Sequence, residues 1–177
     1  MTLTRRRVIG LGGGIAAGLL FLPAAPRAAQ TVEIRMRGDA TGSQVQFDPV
    51  GIRVRPGTTV RWTNGDAGNS HTATAYHPAY FDRPRRIPPA AQPWDSDYLL
   101  PDESFAVTFA VEGVYDYYCV PHEHAGMVGR LIVGEPDADG WWQDPAAAGD
   151  LPEVALNGFP SVEEIMDRGI VRQAAAG

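Results

Sequence analysis

Residues 113–127 read GVYDYYCVPHEHAGM, and this stretch indicates the fold of the chain. Its first part is rich in valine and tyrosine, which favours a β-strand that runs directly into Cys119. The run from Cys119 to Met127 then places a thiol, two imidazoles and a thioether within nine residues. Gly126 permits the tight turn that brings the methionine sulfur back toward the cysteine. The stretch therefore predicts a strand that ends in a compact loop of metal-binding side chains.

The donor atoms of this loop point to copper. Thiolate and thioether sulfur favour Cu(I), whereas imidazole nitrogen accepts both oxidation states. Two histidines and one cysteine in a plane, with a weak axial methionine, make a blue-copper site. The loop supplies all of these except one histidine, which must come from upstream. Because such a site accepts both oxidation states, it can pass an electron with little rearrangement.

The body of the chain, from Thr31 to Gly134, has the pattern of an all-β protein. Short segments rich in β-branched and aromatic residues, several of them alternating, are separated by turns such as Pro56-Gly57 and Glu112-Gly113. Seven or eight short strands at this spacing predict a two-sheet sandwich with Greek-key connections. The segments that carry this prediction are residues 50–54, 59–64, 71–76, 105–109, 114–119 and 130–133.

Residues 77–102 interrupt the strand pattern. Six prolines in this segment exclude a central strand and predict an ordered loop insertion. Arg83, Arg85 and Arg86 form a local basic cluster. Two interpretations stay open for this cluster, a solvated loop and a binding patch.

Residues 135–177 form an acidic extension. Nine acids against two arginines give it a charge of −7. Ser161 with Glu164 resembles a capping box, and Gly169 is a stop signal, so one short helix is predicted between them. Trp141-Trp142 and Phe159 are too apolar for a free tail, and we expect them to pack on the sandwich.

Residues 1–29 have the features of an export signal. Arg5, Arg6 and Arg7 precede an apolar stretch that ends at Leu22, and small residues follow. The paired arginines after Thr4 resemble the twin-arginine type, which predicts a periplasmic protein. The alternative is a membrane anchor, but an apolar stretch of about 15 residues is shorter than the roughly 20 that a spanning helix needs.

Charge and cysteine content argue against some classes of binding partner and suggest a role for the thiol. The formal net charge is −6, and residues 1–29 carry four arginines and no acid, so the remainder carries −10. Such a chain is not expected to bind nucleic acid or an anionic membrane. It suits a partner with a basic docking face, although solubility alone also explains the charge. The single cysteine excludes an internal disulfide, and a lone thiol in an exported protein is either buried and inert or a metal ligand.

Residues 50–134 resemble the plastocyanin, pseudoazurin and halocyanin group of cupredoxins. The matching pieces are Val60-Arg61-Trp62-Thr63-Asn64, Ser70-His71-Thr72, Gly113-Val114-Tyr115-Asp116-Tyr117-Tyr118-Cys119, and Pro121-His122 through Gly126-Met127-Val128-Gly129. The Cys-x2-His-x4-Met spacing is the most specific of them. The resemblance covers about half of the chain. It implies a domain at residues 30–134, between the signal peptide of residues 1–29 and the extension of residues 135–177.

The resemblance also implies a ligand set. It makes His71, Cys119 and His122 the trigonal plane of one type 1 copper ion, with Met127 axial. The ring edge of His122 would then reach the surface and serve as the electron exit. His77 and His124 are the competing histidines, and we expect both to be bystanders at surface positions.

Two residues depart from the pattern of many relatives. Thr72 follows the upstream histidine where many relatives have Asn, and Val120 follows the cysteine where they have Ser or Thr. We therefore expect the side-chain bridge between the two ligand segments to be lost. The backbone N–H of Thr72 is still expected to reach the cysteine sulfur, whereas Pro121 has no N–H to offer as a second donor.

The leading hypothesis is a periplasmic carrier of single electrons, not an enzyme. Its partners would be redox proteins such as c-type cytochromes or a terminal reductase or oxidase, and it would meet a membrane only through a membrane-bound partner. The alternative is a copper-binding protein for sequestration or delivery, which the ligand set alone does not exclude. A small copper enzyme would need further histidine-rich sites, and only His77 and His124 remain.

Overall fold

Two β-sheets pack face to face; burial alternates along the strands of one sheet and is nearly continuous along most strands of the other. The protein is described here by a computed structural model, which describes residues 30–39, 44–135 and 151–173. The predicted signal peptide and Trp141-Trp142 lie outside these residues. The strands are β1 Thr31–Gly38, β2 Val45–Asp48, β3 Gly51–Val54, β4 Thr58–Asn64, β5 Thr74–Ala75, β6 Ser104–Phe109, β7 Gly113–Tyr118, β8 Val128–Val133 and β9 Ile170–Val171; a 3-10 helix spans Val120–Ala125, α1 spans Glu153–Gly158 and α2 spans Val162–Arg168.

The first sheet has the order β2-β1-β4-β6 and the second has the order β5-β7-β8-β3-β9. β1 runs parallel to β4 and β3 runs parallel to β8, whereas the other neighbours are antiparallel. The predicted β-sandwich is confirmed. The described residues form nine strands instead of seven or eight, because two strands of only two residues, β5 and β9, join the second sheet. The segment predicted as a strand at residues 71–76 is extended only briefly, at β5.

Aromatic side chains fill the space between the sheets. Trp62 of β4 is wholly buried, with its ring centroid 5.4 Å from that of Tyr117 and 5.9 Å from that of Trp94. Burying rings of this size is a large part of the stabilisation of a small sandwich. Trp94 comes from the Pro-rich insertion, which also contributes Ile87 and Leu99 to the same core. The insertion therefore contributes side chains to the core between the sheets.

The tail packs on the second sheet. The predicted helix is α2, where Ser161 Oγ accepts the Glu164 N–H over 3.0 Å and Gly169, with φ of 71°, ends the helix. Helix α1 and strand β9 were not predicted. Ile165 of α2 is wholly buried against β3, where a Cβ on Gly51 would lie 2.8 Å from its side chain. Of the helices in the described part of the chain, none has the length and apolar character that crossing a membrane requires.

Candidate metal centre

The loop between β7 and β8 holds three of the predicted ligands. Cys119 precedes the 3-10 helix, and Gly126 ends that helix with φ of 78°, a left-handed conformation that favours glycine. The backbone N–H of Met127 donates to the carbonyl of His122 over 3.1 Å, and the Cys119 N–H donates to the carbonyl of Met127 over 3.0 Å. These bonds close the loop so that the side chains of all three residues belong to one rigid turn.

His71 reaches the site from a separate segment of the chain. It precedes β5 and pairs with Leu99 of the insertion through two backbone hydrogen bonds of 3.2 and 2.8 Å. This short bridge fixes the His71 backbone without a longer strand. The insertion therefore helps to position a candidate ligand that is 48 residues from Cys119 in the sequence.

Three donor atoms converge at this point. The Nδ1 atoms of His71 and His122 are 3.1 Å apart, and Cys119 Sγ lies 3.6 Å from the first and 3.4 Å from the second. All three atoms lie within 4.8 Å of one another, so one ion can reach them together. His71, Cys119 and the neighbouring Met127 are wholly buried, whereas His122 is partly exposed.

The two competing histidines lie apart from this cluster. His77 is partly exposed, and its Nδ1 accepts the backbone N–H of Ala79 over 3.0 Å, which commits that nitrogen to the local turn. His124 is exposed on the outer side of the 3-10 helix. Within the described residues, the one group of three metal-binding side chains consists of His71, Cys119 and His122.

Burial keeps the donor groups uncharged in the metal-free protein. It raises the pKa of the Cys119 thiol to about 11, although hydrogen bonds from Thr72 and His122 act in the opposite direction. Burial lowers the pKa of His71, which Asp66 partly offsets, and burial and the nearby His71 lower the pKa of His122. At neutral pH both imidazoles therefore offer lone pairs, and a bound metal displaces one thiol proton.

The Thr72 side chain bridges the two ligand segments, which corrects the prediction that this bridge is lost. Thr72 Oγ1 accepts the backbone N–H of Val120 over 2.9 Å. A side-chain partner at residue 120 is unnecessary because the backbone supplies the donor. The predicted bond from the Thr72 N–H to Cys119 Sγ is confirmed at 3.3 Å. The hydroxyl also contacts Thr74 Oγ1 at 2.9 Å, which continues the network toward the insertion.

A buried carboxylate in the ligand loop ties the insertion to the site. Glu123 is 1% exposed, accepts a hydrogen bond from the Tyr76 hydroxyl over 2.9 Å and forms an ion pair with Arg83. Arg86 forms a second ion pair, with the buried Asp116 of β7. The basic cluster of the insertion is therefore largely committed to internal carboxylates. In the sequence Glu123 lies between His122 and His124, and these neighbours do not indicate that its carboxylate is buried and paired with the insertion.

The tail lies against the same loop. A Cβ on Gly126 would lie 3.2 Å from Val154 of α1, and one on Gly158 would lie 3.0 Å from the Gly126 carbonyl oxygen. Phe159 follows α1 and packs its ring near the guanidinium groups of Arg86 and Arg130, at 5.2 and 5.0 Å. The predicted packing of Phe159 is confirmed.

The donor set fits copper. Two imidazole nitrogens and one thiolate form a compact set in a largely buried site, and the buried thioether of Met127 belongs to the same loop. Soft sulfur and borderline imidazole ligands together suit an ion that changes between Cu(I) and Cu(II). A hard ion such as Mg²⁺ or Ca²⁺ prefers oxygen ligands, which are absent from this cluster.

Comparison with known proteins gives a consistent result. A family model described as copper-binding proteins of the plastocyanin/azurin family matches residues 34–134. The plastocyanin of Prochlorothrix hollandica is 32% identical over 120 residues, covering 67% of this chain and 85% of that protein. The pseudoazurin of Methylorubrum extorquens is 29% identical over 126 residues, covering 68% of this chain and 76% of that protein. The crystal structure of pseudoazurin from Methylobacterium extorquens AM1 aligns with a TM-score of 0.48 and 24% identity, covering 63% of this chain and 80% of that chain.

Proposed function

The chain belongs to the plastocyanin/azurin family of copper-binding proteins, and on this premise we propose that it carries single electrons between redox proteins. A copper ion held by such ligands supplies one-electron chemistry by alternating between Cu(I) and Cu(II). The observation that carries the proposal is the convergence of His71, Cys119 and His122, whose donor atoms lie within 4.8 Å in a largely buried site.

His71, Cys119 and His122 are the residues that would hold the copper ion, and Met127 would add its thioether to this set. The mutual distances of the first three support this assignment. For Met127 the support is its complete burial and its backbone hydrogen bonds to both Cys119 and His122. These bonds keep the thioether within the loop that carries the other two ligands.

The surrounding residues give the site the rigidity that an electron carrier needs. Thr72 holds the Cys119 sulfur and the Val120 backbone at the same time. A preorganised site needs little rearrangement when the charge of the ion changes. His122 is the partly exposed member of the set, so its ring is the proposed route for the electron to the surface.

Four protein ligands leave no open position for a substrate, so the proposed role is a carrier and not an enzyme. The predicted export signal supports a periplasmic location. The strongly acidic chain supports a partner with a basic docking face, such as a c-type cytochrome or a terminal reductase or oxidase. The alternative is copper sequestration or delivery. A delivery protein gives up its metal, whereas an electron carrier keeps it.

Stopped-flow mixing of the copper-loaded protein with a reduced c-type cytochrome tests the proposal. We expect rapid second-order oxidation of the cytochrome that slows as salt is added, because charge attraction between the partners is screened. The same chain loaded with redox-inert Zn²⁺ is the control and should oxidise nothing. Slow oxidation, together with rapid loss of copper to a Cu(I) chelator, would instead indicate a delivery protein.

A further inference from the structure

A buried carboxylate lies behind the upstream histidine, on the side away from the cysteine. Asp66 Oδ2 is 3.0 Å from His71 Nε2. The Asp66 side chain is 5% exposed and the His71 side chain is wholly buried, so water does not compete for this contact. In the sequence this contact is visible only as an aspartate five residues before a histidine.

The position of this carboxylate is set independently of His71. Asp66 Oδ1 accepts the backbone N–H of Gly68 over 2.8 Å, and Oδ2 also accepts from Asn69 Nδ2 over 2.9 Å. Gly38 packs closely against the carboxylate and also restricts its position, since a Cβ on Gly38 would lie 1.9 Å from Asp66 Oδ2. The carboxylate is therefore preorganised, not drawn into place by the imidazole.

The loop that carries Asp66 is held by Asn64 at the end of β4. Asn64 Oδ1 accepts the Asp66 N–H over 2.9 Å, and Asn64 Nδ2 donates to the carbonyls of Asn69 and Leu99 over 2.8 and 2.9 Å. Leu99 is the residue that pairs with the His71 backbone. One asparagine thus fixes both the carboxylate and the strand segment that flanks the histidine.

The contact with Asp66 determines which ring nitrogen of His71 carries the proton and which one keeps its lone pair. An ionised carboxylate only accepts hydrogen bonds, so a bond of 3.0 Å to it requires the proton on Nε2. The lone pair of the neutral ring then lies on Nδ1, the atom that faces Cys119 Sγ and His122 Nδ1.

We infer that Asp66 is a positioning residue for the copper site: it selects the His71 tautomer that can bind metal, and its negative charge lowers the reduction potential. A fixed negative charge one imidazole ring from the ligand atoms favours the more positive oxidation state. The copper part of this inference rests on the proposed function, whereas the tautomer is a property of the metal-free chain.

The first test uses the unaltered chain without metal. Long-range ¹H–¹⁵N correlation spectra at neutral pH assign the proton of each imidazole nitrogen. We expect His71 to carry its proton on Nε2, with a shift typical of a hydrogen bond to a carboxylate. A proton on Nδ1 would overturn the inference whether or not the protein transfers electrons. Failure of the copper-loaded protein to undergo reversible redox change would count against the proposed function and leave the tautomer result standing.

The second test compares Asp66→Asn with Asp48→Asn in the copper-loaded protein. Asp48 is a carboxylate at the β2 end, paired with Arg37 and Arg172, so its substitution makes the same change in net charge away from His71. For Asp66→Asn we expect the preference for Cu(I) over Cu(II) to increase at least tenfold, which is about 59 mV for one electron. Equal potentials in the two variants would overturn the inference. Loss of copper binding in a folded Asp66→Asn variant whose His71 proton has moved to Nδ1 would support it.

Discussion

The backbone N–H of Val120 donates a hydrogen bond to Thr72 Oγ1 over 2.9 Å, and this bond joins the two segments that hold the candidate ligands. The same threonine donates its own N–H to Cys119 Sγ over 3.3 Å. One residue therefore fixes both the sulfur and the start of the 3-10 helix that follows it.

Replacement of Thr72 by valine removes this brace at nearly constant volume. The Val120 N–H then lacks its acceptor in a partly buried position, so we expect the free energy of unfolding of the metal-free protein to fall by about 1–3 kcal/mol. Urea denaturation measures the change. Thr59→Val is the matched control, because Thr59 forms an exposed hydrogen bond with Thr108 and its loss should cost less than about 0.5 kcal/mol. Equal costs for the two variants would show that the bridge does not stabilise the site.

The ion pair between Arg83 and Glu123 is expected to hold the insertion on the ligand loop. Glu123 is 1% exposed and Arg83 is 28% exposed, so Arg83→Met leaves a buried carboxylate with the Tyr76 hydroxyl as its remaining side-chain partner. We expect the free energy of unfolding to fall by about 2 kcal/mol, less than for a fully buried pair because water reaches Arg83. Dissociation of bound copper to a chelator should also become faster.

Two further variants make this prediction specific. Arg83→Met combined with Glu123→Gln should recover part of the lost stability, because the uncompensated charge is gone. Arg85→Met removes a neighbouring, partly exposed arginine and should change stability by less than about 0.5 kcal/mol. If the double variant is no more stable than Arg83→Met, the pair is not the source of the effect.

The described part of the tail is expected to be integral to the fold. Ile165 is wholly buried among Val50, Ile132 and Val171. We expect Ile165→Ala to lower the free energy of unfolding by about 2–4 kcal/mol, since it removes apolar contacts and leaves a cavity. Ile170→Ala is the control, because Ile170 is 45% exposed and should cost less than about 1 kcal/mol. If urea denaturation shows similarly small losses of stability for both variants, the tail is not an integral part of the fold.

Pro121 is expected to keep the reduction potential low. It lies two residues beyond Cys119 and has no N–H to donate toward the thiolate. We predict that Pro121→Ala raises the potential, because an added donor stabilises the less positive Cu(I) form. Voltammetry measures the shift, with Pro56→Ala in the exposed turn before β4 as the control. An unchanged potential in a variant whose new N–H is seen bonded to sulfur would refute the prediction.

The parts of the fold that follow local rules could be predicted from the sequence. The valine- and tyrosine-rich run before Cys119 predicted β7, and the capping pattern at Ser161 predicted α2. Strand β9 has two residues and no periodicity of its own, so it exists only because β3 offers an edge beside it. Helix α1 has no side-chain cap and forms where Ala155 joins the buried cluster of Tyr76 and Tyr118.

The family resemblance implied the candidate ligands, but it did not indicate the residues that support them. The acceptor role of Thr72 depends on a backbone N–H 48 residues away, which no side-chain pattern records. Asp66 and Glu123 are typical surface residues by type, and burial on tertiary folding is what gives them their partners. Contacts between residues far apart in the sequence depend on the order in which the strands are arranged in the sheets. A single sequence indicates that order only weakly.

The account depends most on the assignment of Cys119 as a copper ligand beside His71 and His122. Visible absorption during titration of purified residues 30–177 with Cu(II) tests it directly. We predict an intense thiolate-to-copper band that saturates at one copper ion per chain, disappears in Cys119→Ser and is retained in His124→Ala, whose histidine is exposed outside the cluster. A colourless Cu(II) complex, or a band that survives in Cys119→Ser, would contradict the assignment.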